Sequence, residues 1–248
     1  MGEQSMPVGI IINCLAVLLG GIIGAAAKDK ISAKFKENLN MIFGISAMTM
    51  GITNIILMQN MPAVILTVIL GTVLGTLIHF NDLVTRLGAG MQSAVSKVLK
   101  IQAPGGLSKE DYDAQLITTI VLFCASGTGI YGSIVSGMNG DHSILLAKSI
   151  LDLFTALIFA CSLGAVVSLI AVPQFILFFA LFLCGGLIFP YTTPSMIGDF
   201  KAVGGILILA TGFRILKLKM FPVADMIPAM ILALPLSHLW SAYIAPLF

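Results

Sequence analysis

Apolar runs of membrane-crossing length fill most of this chain and leave it few ways to fold. Eight are marked, at about 7–27, 41–59, 61–80, 115–136, 142–170, 172–190, 199–216 and 222–246. A helix rises about 1.5 Å per residue, so roughly 20 apolar residues cross a hydrocarbon core about 30 Å thick. Backbone polar groups find no water at that depth, and a helix satisfies its own. The expectation is therefore an all-α, polytopic transmembrane bundle of about eight spans, forming one integral membrane domain over 1–248. Composition agrees: 58% of the 248 residues are hydrophobic and 10% charged, against about 25% charged in soluble domains. No polar stretch is long enough for a separate soluble domain, and a net charge of +2 gives no reason to expect a nucleic-acid partner. The first lysine, Lys28, follows the first apolar run, so no cleavable signal peptide is expected.

Within these runs, Ser136 to Asp152 (SGMNGDHSILLAKSILD) brings a lysine and an aspartate together, and the next stretch, Leu153–Ile170, has no charge. Lys148 and Asp152 are four apart, on one face of a helix. A helix entering the bilayer near His142 reaches Asp152 after about 15 Å, half-way through the core. A carboxylate there is costly unless paired or hydrated, which makes it a candidate binding site with Lys148 as its partner. Asp152 would take a cation or proton when Lys148 swings away; the plainer alternative is an inert pair that fixes packing. Asn139–Gly140 reads as the turn of a hairpin, with Asp141 capping the next helix. Counted from that turn, Asp152 is level with Ser126 in CASGTGIYG (124–132). A locally unwound span there would offer carbonyls and hydroxyls of Ser126, Gly127, Thr128 and Gly129 to Asp152.

Asn13 and Asn54 are lone amides in apolar surroundings, suited to interhelical hydrogen bonds or to the site itself. Asp225 lies between Pro222 and Pro228, where a broken helix would free carbonyls for a cation; a position at the headgroups is the alternative. Asp199 and Lys201 read as interfacial charges at a helix start. His79, His142 and His238 have no second ligand at helical spacing, so no metal site is expected. Cys14, Cys124, Cys161 and Cys184 are isolated and read as packing residues. With no Ser–His–Asp pattern, HExxH or P-loop, neither an enzyme, a cofactor nor an ATP-driven pump is expected.

Lys and Arg placement orients the chain. With both termini outside, the inner loops hold Lys28, Lys30, Lys34, Lys36, Arg86, Lys97, Lys100, Lys109, Arg214, Lys217 and Lys219, eleven of thirteen. Residues 81–114 form the longest polar stretch, a cytoplasmic loop whose 83–100 segment suits an amphipathic surface helix and whose Ser108 or Asp111 starts the next span. The segments 7–80 and 172–246 look like two copies of a three-helix unit around a central hairpin, 115–170. Gly20–Gly21 matches Gly185–Gly186, and Gly44/Gly51 matches Gly205/Gly212, with Pro62 and Pro222 next in each copy. Five spans separate the starting points, so the copies would be inverted, as in many secondary transporters.

The runs GSIVSGMNGDHSILLAKSILD (132–152), MPVGIIINCLAVLLGG (6–21) and KAVGGILILATG (201–212) resemble a widespread bacterial family of multi-pass membrane proteins. It is catalogued as domain of unknown function 554, and the resemblance covers essentially the whole chain. It implies a bacterial cytoplasmic-membrane protein and no particular activity. The residues themselves suggest a secondary transporter or ion-conducting protein for a small solute or ion. The alternative is a scaffold or sensor for another membrane protein, its basic loops and amphipathic helix binding lipid headgroups or the partner. The bilayer is its surrounding partner, and small residues in spans 1, 4 and 7 make a homodimer plausible.

Overall fold

The computed structural model describes residues 6–27, 31–98 and 109–247; Lys28, Lys30, Lys100 and Ser108 lie outside them. All regular structure among the described residues is helical. α1 (Val8–Ala26) follows Pro7, and α2 (Ala33–Ile55) leads to α3 (Met61–Leu77). Pro62 sits in the first turn of α3, where a missing amide proton costs nothing. α4 (Phe80–Val98) departs from α3 at a 62° bend, with His79 at the corner in a left-handed conformation (φ 51°).

The span expected over 115–136 consists of α5 (Lys109–Cys124) and α6 (Gly127–Asn139), interrupted at the stretch expected to unwind. Ser126 stands extended between them and its hydroxyl accepts from the Gly129 amide at 3.1 Å, a helix cap. Gly140, at φ 73°, ends α6, a conformation that side chains strain to adopt. Asp141 then accepts from both the amide and the hydroxyl of Ser143, the first residue of α7 (Ser143–Leu163). The expected run to 170 stops early at Gly164, and a short α8 (Val166–Leu169) precedes α9 (Ala171–Ile188). α10 (Pro194–Ile215) starts at a Thr193 cap, and α11 (Val223–Met226) and α12 (Pro228–Leu239) complete the chain with a π-helical turn at Trp240–Ile244.

By length and composition, six stretches qualify as membrane spans: Val8–Ala26, Tyr112–Asn139, Ser143–Leu163, Val166–Tyr191, Pro194–Ile215 and Val223–Leu247. The bent pair Met61–Leu77 and Phe80–Ser93 makes seven if it is a single span. The eight-span expectation also counted α2, whose Asn38, Asn40, Thr49, Thr53 and Asn54 dilute its apolar character, and α3, only 17 residues long. This is an all-helical membrane protein.

Two compact units form. The first takes the described residues of Met1–Asn40 and Leu83–Gly186, the second those of Met41–Asp82 and Leu187–Phe248. In the first, α1 runs parallel to α7: Gly9 meets His142 and Leu145, Gly20 meets Leu153 and Ala156, and Gly24 meets Leu157. A side chain at Gly20 or Gly24 would collide with the carbonyl oxygens of Leu153 or Leu157, so these glycines set the approach of the two helices. Away from α7, α1 exposes Ile11, Leu15, Leu19 and Ile22, as a lipid-facing surface does. In the second unit, α2 lies antiparallel to α10 across Gly51 and Gly205, and α3 antiparallel to α12 across Gly71 and Ala229.

Candidate functional site

The parallel packing of α1 on α7 brings Asn13 against Asp152. Lys148 Nζ donates to Asp152 Oδ1 at 2.8 Å and to Oδ2 at 2.6 Å. Asn13 Nδ2 donates to the same Oδ2 at 2.9 Å. From α9, Gln174 Nε2 donates to Asn13 Oδ1 at 2.8 Å and lies 3.4 Å from Asp152 Oδ2. The four side chains are buried, Asn13 and Gln174 completely, Lys148 to 4% and Asp152 to 6% exposure. Cys14, Val17, Phe123 and Phe178 are buried members of one apolar core on the same helices and α5.

The break between α5 and α6 contributes as well. Phe123 lies in the last turn of α5, where carbonyls lack the amide of a following helical turn. Its carbonyl oxygen is 3.5 Å from Gln174 Nε2, and its ring centroid is 5.9 Å from Lys148 Nζ, within cation–π range. Three oxygens thus surround the nitrogen of Gln174, and this fixes which end of the amide faces them. The opposite end, Gln174 Oε1, is buried with no hydrogen-bond partner among the described residues; Ser168 Oγ is the same.

The sequence candidates divide accordingly. Lys148 and Asp152 meet, as their spacing suggested, and Asn13 joins them. Ser126, Gly127, Thr128 and Gly129 do not present hydroxyls or amides to Asp152 in any described hydrogen bond: Ser126 caps α6, and Gly129 packs on the ring of Phe178. The carbonyl that the broken span supplies belongs to Phe123, three residues earlier. Asn54 lies in the second unit, where its amide donates to the Met50 carbonyl of its own helix at 2.8 Å. Asp225, also in the second unit, accepts from the Asn81 amide at 2.8 Å. Gln174 is the residue that sequence reasoning missed. Its signal was the one that marked Asn13, a lone amide in an apolar run.

Asp199 corrects a second expectation. It is buried, at 1% exposure, rather than standing as a charge at a helix start. Its Oδ1 accepts from the amides of Gln59 and Asn60 at 2.9 and 2.8 Å, and its Oδ2 from Asn60 Nδ2 at 2.8 Å and Ser237 Oγ at 2.6 Å. The reason is position: α10 begins at Pro194, so Asp199 sits in its second turn and faces the turn before α3.

Long apolar helices around a buried ion pair with amide partners define a polytopic membrane protein with a polar interior site. The chain belongs to the family described as "Protein of unknown function (DUF554)", whose model matches residues 8–238. It is 44% identical over 242 residues to "Uncharacterized protein YqgA" of Escherichia coli (strain K12), covering 97% of this chain and 100% of that protein. It is 26% identical over 230 residues to "Uncharacterized membrane protein YdfK" of Bacillus subtilis (strain 168), covering 90% and 93%. No solved structure matches.

Proposed function

We propose that this is an inner-membrane transporter or ion-conducting protein that moves a small solute or ion past Asp152 in the first unit. The observation that carries the reading is the Lys148–Asp152 pair, buried half-way along an apolar helix and backed by amides from two others. Asp152 is nine residues into α7, about 14 Å from its start and so near the middle of a core about 30 Å thick. Stability gives little reason to keep such a pair, because desolvation offsets most of its attraction. Ionisable groups at that depth characteristically mark ion and substrate pathways.

Eight crossings and an inverted repeat fit this reading. α1 and α7 run the same way, which needs an odd number of crossings between them; α2, α3 and the α5–α6 pair make three. The matched glycines also have matched roles. A methyl group at Gly51 would lie 2.7 Å from the Gly205 carbonyl oxygen, one at Gly205 2.7 Å from that of Gly51, and one at Gly212 2.9 Å from that of Gly44. Gly20 packs on α7 and Gly185 on α6, the two arms of the hairpin. The lysine and arginine bias then sets both termini outside.

The test is solute-driven flux into liposomes containing the purified protein, over ions, amino acids and organic acids. A saturable flux that Asp152→Asn abolishes in a folded protein is expected. Flux that the substitution leaves unchanged would remove Asp152 from the pathway.

A further inference from the structure

We infer that the solute taken up at Asp152 is a monovalent cation, and that the amide oxygen of Gln174 is one of its ligands; this rests on the transport reading above. Asn13 Oδ1, Asp152 Oδ2 and the Phe123 carbonyl oxygen lie 2.8, 3.4 and 3.5 Å from Gln174 Nε2. Asp152 Oδ2 already accepts from Lys148 and Asn13, so the two amide protons of Gln174 serve Asn13 Oδ1 and the Phe123 carbonyl. The other end of the same amide, Oε1, is fully buried and meets no donor among the described residues. A bare acceptor in such a place is costly. The cluster therefore keeps one buried oxygen, Gln174 Oε1, that none of its own protons reaches, and a positively charged guest corrects that.

Turned end for end, the amide would add Oε1 to the three oxygens and complete a four-oxygen shell of the kind that hard cations prefer. Charge narrows the choice. Once Lys148 has withdrawn from Asp152, one carboxylate balances one monovalent cation, whereas a divalent ion leaves a net charge buried. An anion would lie against the Asp152 carboxylate and the Asn13 and Phe123 oxygens. Lys148 Nζ now occupies both oxygens of that carboxylate, so the cation competes with it. Lysine suits the part, being a compact charge on a flexible four-carbon stem that can withdraw.

The experiment is thermal unfolding of the detergent-purified full chain in LiCl, NaCl, KCl and NH4Cl, against choline chloride at matched ionic strength. At a hundredfold excess over its dissociation constant, a bound cation raises the melting temperature by roughly 5–10 °C; choline does not. A metal ion and ammonium satisfy the same oxygens, and the salt that responds tells which is used. Gln174→Leu lowers the cation's affinity at least tenfold, and Lys148→Gln, which removes the competitor, raises it. No difference from choline in the wild type overturns the assignment, as does an affinity unchanged by Gln174→Leu. Should that variant not fold, Gln174→Glu decides: a second carboxylate tightens binding, and unchanged affinity overturns the role. Flux of another solute that Asp152→Asn abolishes, with no cation response, would leave the transporter and remove the cation.

Discussion

Asp152 and Asp199 are both buried, one in each unit, and they are held in opposite ways. Asp199 is surrounded by neutral donors: the amides of Gln59 and Asn60, the side-chain amide of Asn60 and the hydroxyl of Ser237. Asn60 Nδ2 also reaches Ser195 Oγ at 2.9 Å and Ser241 Oγ at 3.3 Å, so this cluster closes on itself. Two of its donors are main-chain groups at the start of α3, where the helix dipole favours a negative charge and no donor can withdraw. Asp152 depends on an ammonium at the end of a flexible chain, and its neighbourhood keeps an unpartnered acceptor. Burial alone does not mark a working carboxylate. What separates the two is whether the partner can leave.

The sharpest way to break this comparison is to remove the closed site. Asp199→Leu strands four donors, two of them backbone, at about 1–3 kcal/mol each before relaxation. A loss of about 5 kcal/mol is expected, read as a fall of roughly 10–20 °C in melting temperature. No companion substitution restores it, since main-chain amides cannot be replaced. A melting point near that of wild type would show that Asp199 is not a staple.

At the other carboxylate the same change is smaller and reversible. Asp152→Leu leaves Lys148 buried without its counter-charge and costs about 4 kcal/mol. Adding Lys148→Met removes the stranded charge, and the double variant recovers to within about 1 kcal/mol of wild type while its flux stays lost. Failure to recover would make the ion pair itself a stabilising element and blur the distinction from Asp199. A further pair of substitutions tests placement. Gly20→Leu forces α1 from α7 and Gly51→Leu forces α2 from α10, each costing about 2–3 kcal/mol through overpacking. Only the first moves Asn13, so only the first weakens the cation-dependent rise in melting temperature.

Some of this was legible in the sequence because it is local. Lys148 and Asp152 are one helical turn apart in a run otherwise nearly free of charge, and that spacing needs no tertiary knowledge. Their partners are not local: Asn13 is 139 residues from Asp152, and Asn60 is 139 residues from Asp199. A helix apolar on every face carries no periodicity to say which side turns inward. Gln174 therefore read as one more residue of an apolar run, and Asp199, close behind the Thr192–Thr193–Pro194 turn, read as interfacial. The break at Gly164 was hidden for a similar reason, whereas the glycines of CASGTGIYG marked the one at Ser126. Hydropathy counts apolar residues and passes over the Gly that interrupts the helix.

Ser126 gives the smallest expected effect and the finest discrimination. As a site residue it would lend its hydroxyl to the solute, and Ser126→Ala would reduce flux and cation affinity together. As the cap of α6 it holds the Gly129 amide at 3.1 Å, and its loss costs about 1 kcal/mol of stability. The cation's affinity then stays at the wild-type value, because the oxygen that the broken span supplies is the Phe123 carbonyl, which no side-chain substitution removes. Melting curves of Ser126→Ala with and without the cation separate the two. A lower baseline with the full cation-dependent rise leaves the site on α1, α5, α7 and α9, whereas a lost rise would extend it to the start of α6.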